Sequence, residues 1–207
     1  MSALENTCVT PEQYLSRERR AEFQSEYYGG EVFPMAGSSL CHSLIGVNIV
    51  ALLWNSLRGK DCSTFNSDMR VQVPRTTLYT YPDVIVVCVD LELLGKRQDV
   101  LLNPAVIVEV LFDLTELYDR TGKFEHYRRL PSLQNYLLVS QKTRRVEHYE
   151  RQTSGQWLLT VSEGEEGTLE ISSIGCTLAN SDIYNKVVLE PGNALEITRG
   201  GLTEAAI

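Results

Sequence analysis

The sequence predicts an α/β fold whose chemistry sits on two neighbouring strands. Two runs, residues 84–89 and 105–112, are β-branched and apolar on both faces, the composition of strands covered by helices on each side. Each run carries one acid: Asp83 follows Pro82 at the head of the first, and Glu109 stands between Val108 and Val110 in the second. A helical segment over residues 115–130, ended by Pro131, sets Asp119, Lys123 and Tyr127 four apart on one face. An isolated carboxylate removed from water must meet a cation, a metal or strong donors, or else take up a proton. Glu109 is therefore the residue that the rest of the chain has to accommodate.

Length and composition bound the reading. A chain of 207 residues with 43% hydrophobic and 22% charged residues buries a sizeable core as one domain, expected over residues 10–190 with flexible tails at 1–9 and 191–207. No run approaches 18 apolar residues, so no membrane span is expected. The opening Met-Ser-Ala-Leu-Glu-Asn-Thr has neither a basic nor a hydrophobic region, which argues against secretion and for the cytoplasm. Cys8, Cys41, Cys62, Cys88 and Cys176 are scattered, odd in number and without C-x-x-C spacing. Reduced thiols are the expectation, rather than a metal cluster or a disulfide framework. The net charge of −8 argues against an all-over basic DNA-binding surface but leaves room for a local basic rim around an acidic metal site.

In chain order, Thr10-Pro11-Glu12-Gln13 opens a short helix, with Thr10 as N-cap, Pro11 at the first helical position and Gln13 closing a capping box. Arg17, Arg19 and Arg20 follow as a solvated basic cluster. Gly29-Gly30 is a hairpin turn signal between two short strands flanked by Glu26 and Glu31. Residues 38–58 form the clearest helix. Leu40, Leu44, Val47, Ala51, Trp54 and Leu57 make an apolar stripe, a serine caps the start, and His42 lies in the first turn, where anions are welcome. Residues 65–73 read as one strand with Asp68 and Arg70 on one face as a structural ion pair. Residues 91–103 form a loop carrying Lys96-Arg97. Further strands are expected at 135–140, 145–151, 157–161 and 169–174, and a short helix at 180–184. His148 is assigned to a strand with one wet face.

Asp83 and Glu109 supply hard oxygen ligands that suit Mg²⁺, with Mn²⁺ as an alternative, each keeping water in its remaining positions. A lysine beside them can orient or deprotonate a water and offset charge developing on a phosphate. Phosphodiester hydrolysis follows. There is no G-x-S-x-G elbow, no P-loop and no G-x-G-x-x-G, which disfavours hydrolase-triad and nucleotide-fold chemistry.

Residues 10–190 resemble the Uma-two family of restriction-endonuclease-like proteins within the PD-(D/E)xK nuclease superfamily. The matching pieces, in order, are S-E-Y-Y-G-G-E-V-F-P-M-A-G, His42, S-D-M-R-V, Y-P-D-V-I-V-V, A-V-I-V-E-V-L, T-E-L-Y-D-R-T-G-K-F and Y-R-R-L-P-S-L-Q-N-Y-L-L-V. The resemblance implies a restriction-endonuclease-like α/β core, a central mixed β-sheet flanked by helices, with an additional β-hairpin region. It further implies Mg²⁺ dependence, a DNA substrate and a homodimer. It places metal-binding acids at Asp83 and Glu109, and the lysine, which the superfamily usually carries two residues after the glutamate, at Lys123, because that position here is Leu111. Glu26, Glu31 and His42 match further polar positions of the cleft. Phe112 and Leu114 stand where the family commonly shows serine and proline. Two alternatives accompany the nuclease reading: a catalytically idle nuclease fold used for binding or assembly, and a Glu109–Lys123 pair that is structural only.

Overall fold

The structure, a computed structural model, describes residues 8–35, 37–74, 76–112 and 115–189. The expected C-terminal tail at 191–207 lies outside them, as do residues 1–7 of the N-terminal tail. Cys8 and Val9 belong to the fold. The Val9 amide donates to the Gly30 carbonyl at 3.0 Å, and the Tyr27 hydroxyl donates to the Val9 carbonyl at 2.8 Å.

The chain runs through α1 (Pro11–Glu18), β1 (Ser25–Tyr28), β2 (Glu31–Pro34), α2 (Leu40–Ser56), β3 (Cys62–Asn66), β4 (Arg70–Val73), β5 (Leu78–Thr80) and β6 (Val84–Cys88). It continues through β7 (Val100–Leu101), β8 (Val106–Val110), α3 (Glu116–Tyr118), a π-turn (Asp119–Lys123), α4 (Phe124–Tyr127) and β9 (Asn135–Val139). The last elements are β10 (Arg145–Arg151), β11 (Trp157–Glu163), β12 (Thr168–Ile171), β13 (Cys176–Ala179) and α5 (Asn180–Ile183). The capping box of Thr10 and Gln13 is formed as its sequence requires. Gly29 and Gly30 both adopt positive φ, 59° and 98°, the conformation that a two-residue hairpin turn demands.

Six strands form the central sheet in the order β11-β10-β9-β8-β6-β3. Only β8 and β9 run parallel, which makes the sheet mixed, as expected. A five-stranded sheet, β2-β1-β5-β4-β7, carries the hairpin region, and β12-β13 forms a separate pair. Both faces of the central sheet are covered. Val84, Val86, Val106, Val108 and Val110 pack with Ile45, Ile49 and Leu53 of α2. Ile85, Val87, Ile107 and Leu138 belong instead to the core with Tyr127 and Leu130. Because side chains alternate along a strand, Asp83 and Glu109 fall on this second face, the one under α4.

Four local expectations are corrected. The buried stripe of α2 is Ile45, Ile49, Leu53 and Leu57, whereas Val47 is 66% exposed and Leu40 and Trp54 are also out of the core; the helix is apolar on more than one side, so spacing alone could not choose between them. Residues 65–73 are two strands in two sheets, β3 and β4, separated by a turn at Ser67-Asp68. Arg70 donates to the Tyr81 hydroxyl at 2.8 Å, and Asp68 takes Asn66 as its partner at 3.0 Å, so the expected Asp68–Arg70 pair is not made. His148 is buried with its Nε2 2.8 Å from Asn135 Oδ1, and burial lowers its pKa.

The fourth correction concerns the cysteines. Cys62 and Cys88 are register partners across β3 and β6 and form a disulfide. Residues 26 apart in sequence carry no pairing signature of their own; only the strand register brings them together. Chain-entropy reasoning for a loop of that size gives about 3.5 kcal/mol of stabilisation. Reduction with dithiothreitol, or Cys88→Ser, is expected to lower the urea-unfolding free energy by about 2–4 kcal/mol while leaving the fold intact. An unchanged midpoint would show that the bridge contributes nothing.

Candidate active site

The antiparallel pairing of Val84 with Val108 sets Asp83 opposite Glu109 one step further along the same ladder. Asp83 Oδ2 continues that ladder by accepting the Val110 amide at 2.7 Å, an amide that would otherwise run past the end of β6. Glu109 is 4% exposed. Its Oε1 accepts from the Tyr127 hydroxyl at 2.7 Å and from Lys123 Nζ at 3.3 Å. Among the described residues, no hydrogen bond falls on Asp83 Oδ1 or Glu109 Oε2, so each acid keeps one oxygen in hand.

Lys123 reaches this point because the segment carrying it is pinned to the sheet by aromatic contacts. Phe124 stacks on Tyr136 of β9 with centroids 5.5 Å apart, and Tyr127 meets the same ring edge-on at 5.4 Å. The Tyr136 hydroxyl donates to the Asp119 carbonyl at 2.9 Å, which holds the start of the π-turn. Such turns are uncommon within helices and cluster at functional sites. The ammonium of Lys123, a residue 7% exposed, lies 3.1 Å from Glu26, 3.3 Å from Glu109 and 3.1 Å from Asp119. The Asp119–Lys123 pair, whose spacing suits an ordinary surface contact, is thus a buried one.

Glu26 projects from β1 and is further held by the Thr80 hydroxyl. His42 Nε2 lies 3.3 Å from Asp83 Oδ2. Its helix start is fixed to the end of β8: the Ser39 hydroxyl caps the His42 amide at 3.1 Å and donates to the side chain of Gln141, whose Nε2 donates to the Leu111 carbonyl at 2.7 Å. Asp83, Glu109, Lys123, Glu26 and His42 all line one cleft of about 880 Å³. Glu31 does not. It pairs with Tyr28 on the last rung before the hairpin turn, two rungs beyond Glu26, and is exposed. Lys96 and Arg97 are exposed and also lie outside the cleft lining, and Arg19 is engaged with Asp99 at 2.6 Å.

The electrostatics of the cluster are unbalanced. Four carboxylates, Glu26, Asp83, Glu109 and Asp119, face one lysine and one histidine. Burial pushes the Glu109 carboxyl well above the usual range, and Asp119 and Asp83 add to the rise against the pull of Lys123 and Tyr127. For Lys123, burial acts downward but is outweighed by Glu109, Tyr127, Glu26 and Asp119, which hold the ammonium well above its ordinary pKa. These neighbours favour the charged, ammonium form of Lys123.

An excess of buried negative charge is the environment that a divalent cation relieves. Among the described residues, no group of three or more His, Cys, Asp or Glu side chains converges to form an all-protein cage. The set fits Mg²⁺, which is commonly bound through one or two carboxylates and keeps waters or phosphate oxygens for the rest. Asp83 and Glu109, each with an uncommitted oxygen, are the residues that would hold it.

Sequence reasoning gave no role to Asp119 or Thr80, nor to Tyr28, Phe33 and Tyr118, which also line the cleft. Asp119 and Tyr127 were visible as members of the Lys123 face, but their burial depends on how the helix lies on the sheet. The three aromatic residues carry no signal of their own in the sequence, because exposed and packed rings look alike there.

Comparison with known proteins fits this geometry. The sequence model of the Uma2 family, described as "Putative restriction endonuclease", matches residues 11–179. The uncharacterized protein slr1290 of Synechocystis sp. is 39% identical over 176 residues, covering 85% of this chain and 91% of that protein. A second uncharacterized protein of that organism, sll1609, is 38% identical over 164 residues, covering 79% and 93%. A crystal structure from Anabaena variabilis, described as "a putative nuclease belonging to DUF820", superposes with a TM-score of 0.70 at 19% identity over 87% of this chain and 99% of its own, a likeness of fold. With its matching segment spanning both acids and the lysine, this chain belongs to the Uma2 family.

Proposed function

We propose that the protein is a Mg²⁺-dependent endonuclease that hydrolyses phosphodiester bonds of cytoplasmic DNA in this cleft, with Mn²⁺ able to replace Mg²⁺. One observation carries the reading: the buried Glu109 carboxyl, set opposite Asp83, with the Lys123 ammonium 3.3 Å away and four acids crowding one site. Asp83 and Glu109 would hold the ion, whose chemistry is Lewis-acid stabilisation of the leaving oxygen.

The chain's own groups do the rest. The Val110 amide and His42 fix the orientation of Asp83, and Tyr127 fixes that of Glu109. Glu26 and Asp119 keep Lys123 charged. Its ammonium orients the attacking water and offsets the charge growing on the phosphate, while that water's proton passes to solvent water in the open cleft. No helix among the described residues is long and apolar enough to cross a membrane.

We further propose a homodimer formed through β11, which lies at the edge of the central sheet and exposes Leu158, Leu159 and Val161. A long apolar edge strand is a template for pairing. Antiparallel self-pairing about Thr160 sets Leu159 opposite Val161 of a second copy twice over, so the register is self-complementary. Light scattering at micromolar concentration is expected to give a dimer mass for the wild type and a monomer mass for Val161→Lys. A monomeric wild type removes this surface.

Nicking of supercoiled plasmid tests the activity. Cleavage is expected with Mg²⁺ or Mn²⁺, none with EDTA, and none for Asp83→Asn or Glu109→Gln at any metal concentration. Glu109→Gln removes a buried charge while Lys123 keeps Glu26 and Asp119, so the metal-free protein should melt at the wild-type temperature or above it. Lys123→Met leaves the buried Glu109 and Asp119 and the half-buried Glu26 without their cation, a loss of about 3–5 kcal/mol. Turnover under conditions where that variant is folded should fall by about a hundredfold or more. A folded Lys123→Met protein that cleaves at the wild-type rate removes the lysine from the mechanism. A wild type inert on every DNA form leaves the fold as an idle binding or assembly module.

A further inference from the structure

The walls of the cleft say more about the substrate than its acidic floor does. A protein that grips duplex DNA neutralises phosphates with lysine and arginine along the groove. Among the described residues the cleft offers almost none. Among its lining residues the cationic candidates are Lys123 and His42. Lys123 is shared by three carboxylates at 3.1–3.3 Å, and His42 lies 3.3 Å from Asp83. The whole chain carries −8, so no long-range attraction compensates.

What the cleft offers instead is aromatic surface. Tyr28, Phe33 and Tyr118 all line it and are 42%, 46% and 37% exposed. Rings left in solvent at the mouth of a polar site are available to a ligand with flat apolar faces. Two of them are held in place. Tyr28 packs edge-on against His126 with centroids 4.6 Å apart. Tyr118 sets a ring edge against Gly122, where a Cβ would come within 2.5 Å of two ring carbons. Gly122 thus has a packing reason to be glycine, and the π-turn that delivers Lys123 also seats the tyrosine. Tyr28 and Phe33 come from the paired strands of the hairpin, so the platforms approach the acids from two sides.

We propose that this cleft takes an unpaired polynucleotide strand, whose bases stack on Phe33, Tyr118 and Tyr28 while a phosphate is presented to Asp83 and Glu109. Bases in a duplex have their faces covered by their neighbours and cannot reach these rings without unstacking. An unpaired strand has its faces free, and every base has one, so binding of this kind is tolerant of sequence. It also depends little on phosphate neutralisation, which suits a cleft of this charge. The proposal rests on the nuclease reading for its substrate class, but binding and cleavage are measured separately.

The test is fluorescence anisotropy with a labelled mixed-sequence oligodeoxynucleotide, single-stranded or annealed to its complement, in Ca²⁺ to suppress turnover. Cleavage of the same molecules is followed in parallel in Mg²⁺. The single strand is expected to bind at least about tenfold tighter than the duplex, with an affinity that changes little between 50 and 200 mM salt, in contrast to the steep fall of phosphate-driven binding. Phe33→Ala and Tyr118→Ala should each weaken single-strand binding by about tenfold. Both residues are exposed, and thermal melts would verify that the variants fold. Gly122→Ala, which displaces the Tyr118 ring and removes no contacting group, should reproduce much of the Tyr118→Ala loss. Single-stranded RNA of the same sequence presents the same base faces and should bind within a few-fold. Duplex bound as tightly as single strand, single-strand affinity unmoved by Phe33→Ala and Tyr118→Ala, or RNA refused where DNA is bound would each overturn the proposal. Cleavage without strand preference sinks this inference alone, and strand preference without cleavage in Mg²⁺ sinks the hydrolytic reading alone.

Discussion

A buried carboxylate in the middle of a strand is the constraint to which the rest of this protein answers. Glu109 replaces an apolar side chain on a face otherwise made of Ile107, Ile85, Val87 and Leu138. In that position an unpaired charge costs several kcal/mol. The fold meets this cost locally with Tyr127 and Lys123, which sit on the segment that crosses from β8 to the parallel β9. It does so incompletely, because Lys123 is shared with Glu26 and Asp119 and because Asp83 faces the same site. A structural ion pair would need one acid for one lysine. Here four carboxylates crowd one lysine and one histidine in an open cleft, an arrangement that favours cation binding over stability.

The elements around that site are each explained by the need to bring distant residues to one end of two strands. Antiparallel pairing sets Asp83 against Glu109 and leaves the Val110 amide for Asp83 to accept. Aromatic stacking on Tyr136 delivers Lys123. The hairpin turned by Gly29 and Gly30 brings Glu26 from the second sheet. The Ser39–Gln141–Leu111 chain of hydrogen bonds ties the start of α2, and His42 with it, to the strand that carries Glu109. The same scaffolding presents a rim of exposed rings, so the rings and the acidic floor of the cleft share their supports.

Much of this was legible in the sequence, and the boundary has physical causes. The two apolar runs with one acid each marked the central strands because only two-sided burial calls for such composition. The capping box and the glycine pair were readable because their chemistry is local. The orientation of α2 was not, since a helix apolar on several sides can bury any of them. Nor was the division of residues 65–73 between two sheets, because Asp68 and its neighbours are compatible with both a strand and a turn. The Cys62–Cys88 bridge depends on register between strands far apart in sequence. At the site, Asp119, Lys123 and Tyr127 were correctly seen to share a face, but which way that face points is decided by packing on Tyr136. Glu31 was a candidate on the same grounds as Glu26, and only the folded hairpin, which leaves Glu31 exposed and Glu26 on Lys123, separates them.

The central claim is that the acidic cluster is built around Asp83 and Glu109 to accept a divalent cation. Calorimetric titration of Mg²⁺ or Mn²⁺ into the metal-free protein tests it most directly. The account predicts one ion bound per chain, with binding lost in both Asp83→Asn and Glu109→Gln and retained in Lys123→Met. Absence of binding to the wild type, or binding that survives both acid substitutions, would contradict it.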